Sequence, residues 1–361
     1  MTQSATWRIL DAALNRAGEG LRVVEDYVRF VADDVFLTAQ TKELRHELAA
    51  VAQLLVSHDR HAARDTLTDI GTQLSTESER RRRGAWDVCA ASLKRTEQSL
   101  RSLEEYGKLV EADFAGRCET LRYRLYTLEK AIDVGRVSRE RLSGVRLCIL
   151  TDGRDSPEGF ERLVTDLVRA GVGMIQLRDK HLADRELIER SRLLHKLTRG
   201  TSTLAIINDR ADIAAAVQAD GVHLGQDDLT VKDARAAVGT RMLIGVSTHN
   251  IEQARTAVLD GANYLGAGPT FPSQTKAFDN FAGLDFLREM AAEIRLPTFA
   301  IGGINSQNLS DVLAAGVERV AVSGAVTHAS RATEVALAVR TLSDMLKDPA
   351  AKAASASGSR L

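Results

Sequence analysis

Proline and aromatic residues are scarce in this 361-residue chain, with 5 prolines and only 4% Phe, Trp and Tyr together. The scarcity is uneven: residues 1–140 contain none of the prolines and 7 of the 26 glycines. A first part nearly free of backbone breakers and a second part that holds the rest imply two architectures, and the length also favours two domains. The three cysteines, Cys89, Cys118 and Cys148, are far apart, form no CxxC pair and are odd in number. That pattern argues against a disulfide or zinc framework and suits a reducing cytoplasm. Excess charge of one sign is missing too: 48 basic residues stand against 49 acidic ones, a formal net charge of -1, so no overall field draws the chain to nucleic acid or an anionic membrane. No apolar run approaches the roughly 18 to 20 residues of a membrane span, and the N-terminus lacks an apolar signal core. GxSxG, HExxH and GxxxxGK[ST] are all absent, leaving hydrolase triads, zincin chemistry and P-loop phosphoryl transfer without sequence support. What remains, 44% hydrophobic and 27% charged residues, is the composition of a folded protein, expected in the cytoplasm.

Between Trp7 and Leu37, Ile9, Leu10, Leu14, Leu21, Val24 and Val28 recur mostly at spacings of three, four and seven, predicting one long amphipathic helix. Similar stretches at 41–55, 87–110 and 116–132 predict four or more antiparallel helices, a helical bundle over residues 1–140, with 57–83 as its long connection. The stretch DVGRVSRERLSG at 133–144 loses the apolar stripe and is read as the domain boundary. After it the texture changes to eight short apolar runs, at 147–150, 174–177, 204–207, 221–224, 243–246, 264–265, 298–301 and 319–322, alternating with helical patterns. This order predicts an α/β fold, a (βα)8 TIM barrel over 145–345, with a doubly wound sheet as the alternative. The small, polar residues of 346–361 are expected to form a disordered tail.

A (βα)8 barrel carries its site at the C-terminal ends of its strands, so the residues following each run are the candidates. They are Gln176, Arg178 and Lys180 after the second run; Asn208 and Asp209 after the third; His223, Gln226, Asp227 and Asp228 after the fourth; and Ser247 and His249 after the fifth. The sixth run leads into GAGPTFPSQTK, with Ser273, Gln274, Thr275 and Lys276. The seventh and eighth end in Gly302–Gly303 and Ser323–Gly324. Glycine amides at helix N-termini after the last two strands suit a phosphate, whereas an isolated Gly-Gly is an ordinary tight turn. Asp209 and Asp228, flanked by Arg178, Lys180 and Lys276, can hold Mg2+ against a diphosphate; the bland alternative is a rim network of ion pairs. His223 stands at a strand end as either a substrate contact or a core residue, while His181, His195 and His328 read as solvated positions.

The segments QLRDK (176–180), IINDR (206–210), GVHLGQDD (221–228), GVS (245–247), GPTFPSQTK (268–276) and IGGI (301–304) together resemble the thiamine-phosphate synthase family, in order and across about residues 145–330. The resemblance implies an alkyl-group transferase that joins hydroxymethylpyrimidine diphosphate to a carboxylated thiazole phosphate, releasing pyrophosphate and CO2 and forming thiamine phosphate. It further implies Mg2+ as cofactor on Asp209 and Asp228. Arg178, Lys180 and Lys276 would be catalytic. Gln176, Arg178, Lys180 and Asn208 would bind the pyrimidine diphosphate, Lys276 would grip the diphosphate, Ser247 would contact the pyrimidine, and Leu177 and Asp179 would be further substrate-binding residues. The thiazole phosphate would fall to Ser273, Gln274, Thr275, Gly303, Ser323 and Gly324. Asp179 stands where a glutamate is common, and Ser273 and Gln274 where threonine and glutamate are common. The implied partners are these small phosphorylated substrates, with no nucleic acid and no membrane; a homo-oligomer is compatible with the pattern. A thiazole tautomerase-like barrel without coupling activity is the near alternative, discriminated by the Asn208–Asp209 pair and Lys276. A Schiff-base aldolase using Lys180 or Lys276 is the third, disfavoured because neither lysine has an apolar pocket to lower its pKa.

In the first part, Asp11, Asn15, Glu19, Arg22, Asp26 and Arg29 form a polar stripe at helical spacing, and arginine outnumbers lysine 18 to 4 in residues 1–140. An exposed salt-bridged helix explains the stripe; arginine's planar fork also suits phosphate or carboxylate recognition. RILDAALNRAGEGLRVVEDYVRF, ARDTLTDIGT and RSLEEYGK resemble the helical extension fused to some thiamine-phosphate synthases. That resemblance implies a pyrimidine-phosphate kinase-like role, and the alternative is a non-catalytic dimerisation or channelling module.

Overall fold

A computed structural model describes residues 3–55, 57–64, 81–272, 281–327 and 331–347. The chain divides into two compact units, Met1–Asp133 and Val134–Leu361. The first contains α1 (Gln3–Phe30), α2 (Val35–Val51), a 3-10 turn (Ala52–Leu54), α3 (Ser57–Ala62), α4 (Ala85–Gly107) and most of α5 (Ala112–Arg141). Leu10, Leu14, Leu21, Val24 and Val28 form the buried face of α1, as a 3.6-residue period requires.

The sequence reading of one helix from Trp7 to Leu37 needs correction, because α1 ends at Phe30 and α2 begins at Val35. Asp33 adopts a left-handed φ of 50°, and the Asp34 carboxylate accepts the Leu37 N–H at 2.9 Å as the N-cap of α2. Apolar residues on both sides of this turn keep roughly helical spacing, so periodicity alone hides it; the paired aspartates mark it. Helices α1 and α4 approach so closely that a Cβ on Gly20 would lie 2.3 Å from Thr96 Oγ1.

Helix α5 runs through the stretch expected to be a boundary. From Val134 onward it belongs to the second unit, where the Ser138 hydroxyl accepts from Asn263 Nδ2 at 3.0 Å. Its buried contact there is a serine, which leaves no apolar stripe to read. The expected tail, 346–361, overlaps α14 at Leu346 and Lys347, Leu346 being 1% exposed; the remainder lies outside the described residues.

The second unit is a closed parallel barrel in the order β1 to β8: Leu147–Thr151, Met174–Leu177, Leu204–Asn208, Gly221–Leu224, Leu243–Thr248, Tyr264–Ala267, Thr298–Ile301 and Val320–Val322. The intervening helices are α6 (Pro157–Arg169), α7 (Asp184–Thr198), α8 (Ala211–Val217), α9 (Val231–Val238), α10 (Ile251–Asp260), α11 (Gly283–Glu293) and α12 (Leu309–Ala314); α13 (Gly324–Thr327) and α14 (Ala332–Lys347) follow β8. The interior is filled by Cys148, Leu150, Met174, Ile206, Leu243, Tyr264, Phe299 and Ala321. Strand side chains alternate between faces, so the same parity carried two or four residues onward brings Gln176, Arg178, Asn208, Ser247, Gly303 and Ser323 to the mouth.

Registry places Asn208, His223, Gly245 and Tyr264 side by side on four consecutive strands. Gly245 leaves the space that the Tyr264 ring occupies, since a Cβ there would lie 2.1 Å from the ring. Gly245→Ala is therefore expected to destabilise the barrel by about 1–3 kcal/mol through overpacking, read as a lower urea midpoint of its unfolding transition.

Candidate active site

The mouth is built from strand ends. Gln176 is buried at the end of β2, and the following Arg178 is tied down by its backbone N–H, which donates to Thr151 O at 2.8 Å. Asp209, just past β3, holds a left-handed φ of 60°, a conformation aspartate tolerates better than most residues. Its N–H donates to His223 O at 2.7 Å, fixing the turn from the neighbouring strand. Asp228 accepts the Gly225 N–H at 2.7 Å, and Gly225 lacks a Cβ that would lie 2.8 Å from the same carboxylate oxygen.

Asp209 and Asp228 face each other with Lys180 Nζ 3.4 Å from Asp209 Oδ2. Burial first, and then the Asp228 carboxylate, raise the Asp209 pKa, while Lys180 acts against them. A carboxylate whose charge is disfavoured by burial and by a second carboxylate beside it, with a cation adjacent, forms a donor set that a divalent ion would relieve. Among the described residues no group of three or more His, Cys, Asp and Glu side chains could hold a metal. Mg2+ needs few protein carboxylates because it keeps waters and takes phosphate oxygens, so the pair fits it.

Below the rim lies His223, which sequence reasoning left undecided between substrate contact and core. It is buried, with Nδ1 3.2 Å from the Tyr264 hydroxyl and Nε2 2.9 Å from Ser247 Oγ. Burial, reinforced by the positive charge of Arg178 and opposed by Asp228, lowers its pKa to about 4. Ser247 is also held through its carbonyl, which accepts from Gln226 Nε2 at 2.5 Å. Tyr264 escaped the sequence reading because it begins its strand instead of ending it; the missing side chain at Gly245 was the available signal.

At the other side of the mouth, Gly302 and Gly303 have φ of 102° and 64°. A Cβ on Gly302 would lie 2.8 Å from Pro269 Cα, and one on Gly303 2.4 Å from Pro272 O. Both glycines are thus required by conformation and by the close approach of the loop after β6, whose Thr270 and Phe271 N–H groups donate to Ile301 O and Gly302 O at 2.9 and 3.0 Å. Ser323 and Gly324 open the short α13, whose Thr327 N–H returns to Ser323 O at 3.0 Å. Ser273, Gln274, Thr275 and Lys276 lie outside the described residues.

The structure therefore brings Arg178, Lys180, Asp209, Asp228 and Ser247 together around His223. Two other expected binding residues are placed differently. Leu177 is 1% exposed and takes the opposite parity to Gln176, leaving only its main chain for the mouth. Asp179 accepts from the Gly153, His181 and Leu182 N–H groups. Burial raises its pKa, but these three bonds prevail and hold it below the usual carboxylate range. Its oxygens order the loops after β1 and β2.

Barrel and strand-end charges define the class, a (βα)8-barrel enzyme. A family profile described as thiamine monophosphate synthase matches residues 147–326, and one described as the ThiD2 family matches residues 8–131. Thiamine-phosphate synthases of Rhodopirellula baltica and a Synechocystis species are 43% and 40% identical to the chain, over 93% and 92% of it and 92% and 94% of those proteins. The structure of thiamine phosphate pyrophosphorylase from Pyrococcus furiosus, 35% identical, superposes with a TM-score of 0.50 over 57% of this chain and 97% of that one. The chain belongs to the thiamine-phosphate synthase family of transferases. No described helix is long and apolar enough to cross a membrane.

His223 gives the barrel an acid-sensitive stability. Its folded-state pKa of about 4 lies below the ordinary 6.5, so between those values the unfolded chain binds a proton that the native chain refuses. Stability is kept above pH 6.5 and lost as pH falls towards 4, by at most about 3.4 kcal/mol at 1.36 kcal/mol per unit. His223→Gln is expected to narrow the difference between urea midpoints measured at pH 4.5 and 7.5.

Proposed function

We propose that the barrel condenses 4-amino-2-methyl-5-(diphosphooxymethyl)pyrimidine with 2-carboxy-4-methylthiazole ethyl phosphate, giving thiamine phosphate, pyrophosphate and CO2. The observation that carries this reading is the facing Asp209–Asp228 pair with Lys180 3.4 Å from it. Such a mouth suits a substrate that arrives as a diphosphate and leaves its charge behind. Mg2+ bound by Asp209 and Asp228 would neutralise the charge that develops on the departing pyrophosphate.

The chain's own residues supply the rest. Arg178, Lys180 and Lys276 hold the diphosphate oxygens and stabilise the leaving group's charge. Gln176 and Asn208 orient the pyrimidine diphosphate, and Ser247 meets the pyrimidine. The aminopyrimidine pushes electrons towards its exocyclic methylene, so departure of pyrophosphate leaves a pyrimidine cation for the thiazole nitrogen to attack. No protein nucleophile is needed. Ser273, Gln274, Thr275, Gly303, Ser323 and Gly324 hold the thiazole phosphate, and keeping both partners in one mouth replaces a bimolecular encounter by a local one. Leu177 takes part through its main chain, and Asp179 by shaping the loops. A tautomerase-like barrel without coupling has no use for the Asp209–Asp228 pair.

For residues 8–131 the match to the ThiD2 family supports handling of the pyrimidine phosphate before coupling, a kinase-like role. Full-length protein given the pyrimidine monophosphate, ATP, the thiazole phosphate and Mg2+ would then form thiamine phosphate. A product that appears only with the diphosphate assigns a non-catalytic role instead.

Asp209→Ala and Lys276→Ala are each expected to lower coupling by about a hundredfold or more, measured as thiamine phosphate and pyrophosphate formed from the two substrates, with far-ultraviolet circular dichroism unchanged. Chelation of divalent ions should abolish turnover and added Mg2+ restore it. Near-wild-type turnover in either variant would falsify the assignment.

A further inference from the structure

We infer that Tyr264 and His223 are positioning residues that turn the Ser247 hydroxyl into a hydrogen-bond donor, aimed at an acceptor nitrogen of the pyrimidine ring. The inference rests on the substrate assigned above and adds the polarity of one contact and the device that sets it.

The interior of a (βα)8 barrel is ordinarily filled by branched aliphatic side chains. Here two polar rings lie side by side in it, His223 and Tyr264, with centroids 5.4 Å apart and planes tilted by 35°. Two inward-facing glycines make room for them. A Cβ on Gly245 would lie 2.1 Å from the Tyr264 ring, and one on Gly266 would lie 3.2 Å from His223 Cε1. Simple filling would not require three hydrogen-bonding groups in series, yet the tyrosine hydroxyl, His223 Nδ1, His223 Nε2 and Ser247 Oγ follow one another at 3.2 and 2.9 Å.

The direction of the chain follows from donor arithmetic. A neutral imidazole has one N–H and one bare nitrogen. The Tyr264 hydroxyl is buried among apolar residues that include Cys148 and Phe299, so its hydrogen belongs on the bare Nδ1. The reverse order would point that hydrogen into the apolar interior, leaving a buried donor unmade. With Nδ1 accepting, the N–H sits on Nε2 and donates to Ser247 Oγ. The serine hydrogen cannot return along the same line and is left to donate elsewhere. Ser247 is half-buried at the mouth, and Gln226 Nε2 restrains its carbonyl from the rim at 2.5 Å. A pyrimidine ring nitrogen is an acceptor, whereas its exocyclic amine is a donor, so a hydroxyl prepared in this way selects the ring nitrogen.

The test is a double-mutant cycle on the full chain, using both substrates and Mg2+, with Tyr264→Phe and Ser247→Ala alone and combined. Tyr264→Phe keeps the ring that fills the space and removes only the hydroxyl. It is expected to raise the KM for the pyrimidine diphosphate by about tenfold, the order of one neutral hydrogen bond, with the thiazole phosphate KM within about twofold of wild type. The combined variant should be no worse than Ser247→Ala, because both act through one hydroxyl. His223→Gln, which retains an N–H donor, should be closer to wild type than His223→Leu. Multiplicative effects in the cycle, equal rises in both KM values, or a wild-type KM in Tyr264→Phe would overturn the inference. A wild-type chain that forms no product would instead remove the assigned substrate, and the inference with it.

Discussion

Alternation of side chains along strands that have closed into a barrel is the constraint on which the site depends. Closure leaves every second residue of each strand no destination but the axis. Along that axis the chain changes character within two residues: Met174 and Ile206 are apolar filling, whereas Gln176 and Asn208, one step of the alternation further on, are polar. On these two strands the boundary between core and site is thus a single step. Parity also explains why Leu177, beside Gln176 in sequence, offers the mouth only its backbone.

Glycine has three separate uses in this unit. Gly245 and Gly266 face inward and give volume to Tyr264 and His223. Gly225 gives Asp228 an N–H at short range. Gly302 and Gly303 adopt positive φ and let the loop after β6 lie directly on the end of β7. The uneven glycine count in the sequence therefore reflects the barrel's interior and its mouth. Among its described residues the helical unit uses glycine at two close approaches, Gly20 against Thr96 of α4 and Gly107 against the Phe114 ring of α5. That unit instead buries charges in pairs, such as Glu104 with Arg122 at 2.8 Å. An unpaired buried charge would cost far more than the pair contributes, which ties its arginine-rich composition to internal pairing as much as to any ligand.

Most of the barrel was legible because its strands are short, apolar and punctuated. The runs at 174–177, 221–224 and 298–301 coincide with β2, β4 and β7, and the others differ by a few residues at their ends. Helix ends were less legible. Nothing in the spacing of apolar residues separates α1 from α2, because the break is made by Asp33 backbone conformation and the Asp34 cap. The extension of α5 to Arg141 was hidden because a small polar residue, Ser138, makes its buried contact. The candidate site residues Arg178, Lys180, Asn208, Asp209, Asp228 and Ser247 are singled out by their position after apolar runs, a local property of the chain.

The sequence by itself determined the two architectures, the order of the strands and the residues that follow each of them. Periodicity and punctuation are properties of neighbouring residues, and neighbours are what a sequence records. Only the tertiary structure decided that Asp209 and Asp228 face each other, that Asp179 spends its carboxylate on three backbone amides, and that Tyr264, at the start of a strand, stands beneath Ser247. The pairs Tyr264–Ser247, Asp209–Asp228 and Asp179–Gly153 join residues 17, 19 and 26 positions apart. Strand registry around a closed barrel sets them, and no local pattern encodes that registry.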